Sequence, residues 1–229
     1  MISVFLQQKK FVFLFVIIFL FQRCTGKKEK FKDQGIISFK VECVDMNHPM
    51  AALAPSSAEL KYNQDKFILE MSTMGVFKTT VIGDVSAKTM AQTVKFLDIK
   101  QACIEDSLQI KEEISKYRLK LTPTKETKKI CGFVCHKVIA EYVDQPGKTF
   151  EVYYTKELGN DNCNVLTPYA ELKGMLMDYR LQRMGLELHF IAKSYKNEEV
   201  PLSAFEVPAY MKIISKKEMQ DFFDRIQKM

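Results

Sequence analysis

Apolar and polar residues alternate along most of the chain beyond residue 34. Apolar side chains recur at every second position in the segments 67–72, 117–122, 134–142, 150–155, 175–181 and 186–193. This period of two is typical of strands with one buried and one wet face, and it favours an antiparallel sheet. Turn signals separate the segments at 63–65, 83–84, 144–147 and 159–162. The pattern predicts nine to eleven strands in one domain.

Helical spacing is rare by comparison. Ser215 and Glu218 form a capping box and predict a helix over 215–227. Its apolar stripe consists of Met219, Phe222, Phe223 and Ile226. A weaker helix candidate lies at 50–54, and 105–115 is compatible with helix, loop or strand. The predicted fold class is mainly β: a strongly curved antiparallel sheet, forming an incomplete β-barrel, with one or two helices packed in its concave side.

The first 24 residues have the pattern of an export signal. Lys9 and Lys10 precede the apolar run Phe11–Phe21, and Cys24 follows three residues after that run. The run is too short to cross a bilayer, which needs about 20 residues. We therefore expect a lipoprotein-type signal peptide over 1–23, lipidation at Cys24, a basic tether over 24–33 and a single domain over 34–229. An ordinary cleaved signal and an uncleaved anchor are the alternatives.

Charge is concentrated in these N-terminal segments. The chain has a net charge of +6, but the signal contributes three positive charges and residues 27–32 contribute three more. The remainder, 33–229, is neutral, so a nucleic-acid partner is not expected. The tether is interpreted as a spacer beside anionic lipid headgroups, or as a plain linker.

No arrangement of residues indicates a reaction or a metal. The three histidines, His48, His136 and His189, lie outside any H-x-x-x-H or H-E-x-x-H spacing. Cys135 and His136 are adjacent in a predicted strand and therefore point to opposite faces. We expect no catalytic residues, no metal and no cofactor.

Several short motifs resemble a known group of proteins. Thr127-Lys-Lys-Ile-Cys-Gly-Phe-Val-Cys-His-Lys137, followed by Val152-Tyr-Tyr-Thr155, resembles the T-x-x-I-x-G-[YF]-x-C-x-K … [VI]-x-Y-T pattern of envelope proteins related to the GLPGLI family. Leu172-Lys-Gly-Met-Leu-Met177 and Phe205-Glu-Val-Pro-Ala-Tyr210 resemble its later signatures, so that the resemblance covers 35–210. It implies the fold of LolA, LolB and LppX, an incomplete β-barrel with helices across its mouth and an apolar cavity for acyl chains.

Both motif glycines also have a structural interpretation. Gly132 follows a strand and predicts a β-bulge or a close backbone approach, and Gly174 is interpreted in the same way.

Five cysteines remain once Cys24 is assigned to lipid, an odd number for an oxidising compartment. Cys131 and Cys135 would lie about 13 Å apart in an extended strand, beyond the reach of a disulfide. They could pair with each other only if the chain folds sharply at Gly132. A disulfide from Cys163 to either of them is the more plausible bridge, and buried free thiols are the alternative.

The composition of the apolar face suggests a function. The chain has 12 methionines and 17 phenylalanines but no tryptophan, and such flexible side chains suit an adaptable cavity, although they also fill ordinary cores. The predicted cavity lining consists of Phe67, Leu69, Met71, Met175, Met177, Leu188 and Phe190, with Phe222 and Ile226 as lid or plug. The expected function is an envelope lipoprotein, facing the periplasm at the outer membrane, that binds or carries a hydrophobic, lipid-like ligand without covalent chemistry. The alternative is a non-enzymatic envelope scaffold with a filled barrel that presents loops to a protein partner.

Overall fold

The computed structural model describes residues 33–159, 161–183 and 185–227, and these form one open, curved sheet with two α-helices. The strands are β1 (Gln34–Cys43), β2 (Ser57–Asn63), β3 (Lys66–Thr73), β4 (Phe77–Asp84), β5 (Thr89–Phe96), β6 (Ile99–Glu105), β7 (Leu119–Ile130), β8 (Phe133–Tyr142), β9 (Thr149–Thr155), β10 (Met175–Arg183), β11 (Leu186–Lys196) and β12 (Lys212–Ile213). The helices are α1 (Ser107–Ser115) and α2 (Lys216–Gln227). The predicted signal peptide, Cys24 and all of the predicted tether except residue 33 lie outside these residues. Within them, neither helix has the length and apolar character needed to span a bilayer.

The sheet consists of two antiparallel meanders joined by the pairing of β1 with β11, which we refer to as the central seam. Its strand order is β12-β6-β5-β4-β3-β2-β1-β11-β10-β9-β8-β7. The first meander runs from β1 to β6 and the second from β7 to β11, while β1 pairs with β11 between Ile36–Lys196 and Cys43–Leu188. The predicted mainly β class is confirmed.

One strand pair departs from the predicted antiparallel sheet. β12 pairs in parallel with β6, so the sheet is mixed and has twelve strands rather than nine to eleven. β12 is only two residues long and carries no alternation that a sequence pattern could show.

The inner face of the sheet, defined as the face that carries Phe39, Leu69 and Val81, holds the main core. Phe39, Tyr179 and Phe190 pack their rings together at its centre, with centroids 5.1–6.1 Å apart. The outer face is mostly polar. A strap after β11 covers part of it, where Val200 and Phe205 pack on Ile68, Ile82 and Ala91.

Both helices lie on the inner face near β5 and β6. Asp106 caps α1 by accepting hydrogen bonds from the backbone of Leu108 and Gln109, so the ambiguous segment 105–115 begins with the last residue of β6 and is helical over Ser107–Ser115. The predicted C-terminal helix is confirmed, and Met219, Phe222 and Phe223 bury its apolar stripe. The weak candidate at 50–54 is a single 3₁₀ turn over Ala51–Leu53.

The structure tests the predictions made for three glycines. Gly132 lies with Cys131 in the two-residue turn between β7 and β8, and both have positive φ, so the predicted bulge or close approach is wrong there. Gly174 does make the predicted close approach, because a Cβ on it would meet the Thr155 carbonyl oxygen at 2.4 Å. Gly83 belongs to β4 instead of a turn, and its missing side chain makes room for the ring of Phe67.

Candidate functional site

The residues predicted to line a cavity divide between a small pocket and the solid core. Phe67, Leu69 and Met175 line an apolar pocket of about 50 Å³ between β2–β4 and β10. Met71, Met177, Leu188 and Phe190 are at most 2% exposed and form part of the main core. Phe222 is buried in a second cluster with Phe77 and Val94, and Ile226 packs half-buried against both clusters.

The three disulfide candidates are unbridged thiols in the structure. Cys131 and Cys135 belong to the β7–β8 hairpin, where the Cys135 thiol contacts the Phe133 carbonyl oxygen at 3.6 Å. Cys163 lies in the loop before β10, and its thiol donates to the Gly174 carbonyl oxygen at 3.2 Å. Burial raises the pKa of Cys135 to about 11 and that of Cys163 to about 12.

A larger cavity lies where the two helices meet the inner face, and we refer to it as the helix cleft. Its volume is about 380 Å³. Apolar side chains from four parts of the chain form its walls: Val81, Met90, Ile110, Ile114, Leu166, Leu181, Met219 and Phe223. Exposed residues at its rim include Lys116, Gly185 and Gln220. The cleft lies between two short helices that each pack against the sheet at β5 or β6.

Two carboxylates and two lysines lie in the cleft and neutralise one another. Lys216, the first residue of α2, places its Nζ 3.2 Å from Glu105 and 3.5 Å from Glu113. Lys116 contacts Glu113 at 2.9 Å. Burial would raise the pKa of Glu113, but hydrogen bonds and charge from Lys116 and Lys216 outweigh it and lower that pKa below its ordinary value. These pairs join α1, α2 and the end of β6.

Arg183 is the remaining charged group in the cleft. Its side chain lines both the helix cleft and the small apolar pocket. Its Nε is buried without a hydrogen-bond partner, and no carboxylate of a described residue forms an ion pair with it. Burial lowers the pKa of Arg183 from its usual value.

The helix cleft is not predicted by the sequence patterns. One usable signal was present: Met175, Met177, Tyr179, Leu181 and Arg183 are alternate residues of β10, so the arginine continues a row of inward apolar positions. The helix residues gave no such signal, because their meeting depends on how α1 and α2 dock. Among the described residues, no group of three or more His, Cys, Asp or Glu side chains could hold a metal ion.

The arrangement can bind but offers little for bond-making chemistry. The acids of the cleft are held in ion pairs, and burial raises the pKa of the lining Cys103 thiol, which keeps it protonated. Apolar side chains line one part of the cleft and charged or polar side chains line the rest, and a concave site with both kinds of group can bind a ligand.

Comparison with known proteins identifies a fold and no family. No protein-family model matches the chain, and no curated protein matches it. Two crystal structures of PNGF-II are similar to it, with TM-scores of 0.52 in space group C2 and 0.53 in P21, and with sequence identities of 16% and 15%. The alignments cover 85% and 84% of this chain but 33% of PNGF-II. The chain thus spans about a third of the length of PNGF-II, and the likeness concerns the fold alone.

Proposed function

We propose that the chain is an envelope lipoprotein that binds a hydrophobic, lipid-like ligand in the helix cleft, without covalent chemistry. The observation that carries this proposal is the cleft itself, whose volume of about 380 Å³ falls within the usual range of about 300–1,000 Å³ for ligand sites. The apolar pocket expected from strand alternation is much smaller, at about 50 Å³. The proposed site is therefore under the helices and not on the face of β3.

The walls of the cleft suit a ligand of variable shape. Met90 and Met219 contribute unbranched, polarizable side chains that can repack around an acyl chain. The resemblance to GLPGLI-related envelope proteins with a LolA-like fold supports the same proposal, as does the predicted lipidation at Cys24.

A neutral fluorescent probe, N-phenyl-1-naphthylamine, tests this proposal. We use the full chain carrying Cys24→Ser, so that acyl chains of its own do not compete. Gln220→Trp places a large side chain at the exposed rim of the cleft, whereas Asp221→Trp places the same side chain one position along, outside the cleft. We expect the parent and Asp221→Trp to bind the probe and Gln220→Trp to bind at least tenfold more weakly. No binding by the parent, or equal binding by the two variants, would contradict the proposal.

The scaffold alternative is favoured by a separate observation. Met74, Val76 and Leu97 are 55–89% exposed at the neighbouring tips of the β3–β4 and β5–β6 hairpins. Met74 and Leu97 also have positive φ, a conformation that branched and bulky residues rarely adopt. We refer to these three residues as the hairpin-tip patch.

The chemistry beside the hairpin-tip patch indicates what kind of partner would fit it. Lys95 and Lys100 face each other across β5 and β6 and contact the ring of Tyr210, without an ion pair to a described carboxylate. An apolar patch bordered by lysines fits a protein partner with an acidic rim. A photo-crosslinker at position 97 should capture such a partner in the native host, and Lys95→Glu with Lys100→Glu should abolish that crosslink. A crosslink that persists in the double variant would count against the scaffold.

A further inference from the structure

Arg183 is partly buried, and its Nε is enclosed without a hydrogen-bond partner, while no carboxylate of a described residue lies within 4 Å of its guanidinium. Every other charged residue that lines the helix cleft has an opposite charge within 4 Å. Removing part of a charged group from water is unfavourable unless another group compensates for it, so an enclosed guanidinium nitrogen without a partner is seldom retained for stability. A partner supplied from outside the chain would remove this penalty.

The charges of the helix cleft specify what that partner must carry. Glu105 and Glu113 balance Lys116 and Lys216, so the lining has a net charge of +1, and the excess charge is that of Arg183. A guanidinium presents a planar fork of donors that matches the oxygens of a carboxylate or phosphate. A ligand head with one negative charge would therefore neutralise the site.

The position of Arg183 also indicates how such a ligand would lie. Its side chain stands where the helix cleft and the small apolar pocket meet, and both cavities also share Val81 and Leu181. A head bound at the guanidinium leaves apolar surface on both sides for the rest of the molecule.

We propose that the helix cleft takes a single-chain amphiphile with a monoanionic carboxylate or phosphate head, and that Arg183 binds the head. This inference rests on the proposed function, because it assumes a ligand in the same cleft. It adds the chemical class of that ligand and the residue that selects it. Arg183 acts by charge and hydrogen bonding, and no bond is made or broken.

Competition against N-phenyl-1-naphthylamine distinguishes this class from neutral lipids. Laurate, dodecyl phosphate and dodecanol have equal chains and differ in the head. We expect laurate or dodecyl phosphate to displace the probe from the parent at a concentration at least tenfold lower than dodecanol does. Equal displacement by all three would overturn the anionic-head inference while leaving the proposed function intact. Failure of the parent to bind the probe at all would overturn both.

Arg183→Met removes the charge and keeps a side chain of similar length. We expect the variant to bind laurate at least tenfold more weakly, to bind dodecanol as the parent does, and to melt at a higher temperature when empty. Arg180→Met is the matched control, because Arg180 lies on the same strand and pairs with Glu187 outside the cleft. It should lower the melting temperature and leave laurate binding unchanged.

Two results would overturn the role of Arg183. One is unchanged laurate binding by Arg183→Met. The other is a melting temperature that inorganic phosphate, with no chain, raises as much as laurate does, since that would indicate a free-anion site instead of an amphiphile site. The comparison of the three heads on the parent protein does not depend on whether the variant folds.

Discussion

At the scale of single residues, Gly174 is the clearest case of a position set by the backbone. It has a φ of +127°, and a Cβ there would lie 2.4 Å from the Thr155 carbonyl oxygen in β9. Both the conformation and the contact exclude a side chain, because the obstacle is main chain that cannot rotate away.

We predict that Gly174→Ala lowers the free energy of unfolding by about 2–4 kcal/mol, from backbone strain and overpacking combined. Gly132→Ala is the control, since its φ is +88° but nothing lies within 4 Å of the added Cβ. That variant should lose only about 1–2 kcal/mol. Urea unfolding measures both values, and equal losses would contradict the role given to the Thr155 contact.

The buried thiols allow a second prediction at this scale. With a pKa raised from 9.0 to about 11, Cys135 forms roughly 100-fold less thiolate at pH 8 than an ordinary cysteine, and the thiolate is the reactive form. Cys163, with a pKa of about 12, should react more slowly still. We predict that iodoacetamide labels both only after unfolding, as mapped by peptide mass spectrometry. Labelling of Cys135 in the folded protein at the rate of a free thiol would refute this.

Arg183 shows what residue patterns can and cannot predict. Alternation in β10 identifies the inward face correctly, and the arginine falls on that face. The pattern does not reveal whether an inward charge will meet a carboxylate, because the nearest candidates, Glu105 and Glu113, lie far away in the sequence. Their capture by Lys216 depends on the docking of α2, which is a tertiary event.

At the scale of elements, Glu187 links three strands. It accepts hydrogen bonds from Tyr142 of β8, from Lys148 in the β8–β9 turn and from Arg180 of β10, at 2.9–3.2 Å. Burial would raise the pKa of Glu187, but these three partners outweigh burial and lower it below 4.5. The ionised form is therefore the one that the fold stabilises.

We predict that Glu187→Gln lowers the free energy of unfolding by about 2–4 kcal/mol at pH 7, because two cations lose their partner. Glu42→Gln, which breaks the exposed pair with Lys40, should cost less than about 1 kcal/mol. The folded-state pKa of Glu187 lies below its unfolded value, so the stabilisation is complete above pH 4.5 and is lost as the pH falls through the folded-state pKa. Urea unfolding from pH 7 to pH 3 should show the gap closing in acid, and a gap independent of pH would contradict it.

Most elements could be predicted because their patterns are local. The alternation in β3, β8, β9, β10 and β11 reflects one buried face, and the capping box of α2 lies within four residues. The box at Asp106 and Gln109 is equally local and would have identified α1. The parallel pairing of β12 and the volume of the helix cleft could not be predicted, because both depend on where distant segments pack.

At the scale of the whole molecule, we propose that the N-terminal segment determines where the domain works. We predict that Cys24→Ser abolishes incorporation of labelled palmitate and releases the protein from the membrane fraction of a Gram-negative host. The apolar run 11–21 is too short to cross a bilayer, so membrane attachment would depend on the acyl chains. Burial of those chains in the bilayer contributes about 0.8 kcal/mol per CH₂. Cys43→Ser is the control and should keep both properties. Palmitate label retained by Cys24→Ser would refute lipidation at that residue.

The central seam has a consequence for how the chain can be cut. Each meander is a series of hairpins between neighbours in sequence, and α1 is the only connection between β6 and β7. Half-chains divided after Lys116 would each keep their own hairpins. Two sets of contacts would hold the halves together: the pairing of β1 with β11, and the packing of β12 and α2 against β6. Co-expressed half-chains should therefore assemble into a complex that co-elutes on gel filtration and unfolds in one transition, whereas either half alone should aggregate through its open edge.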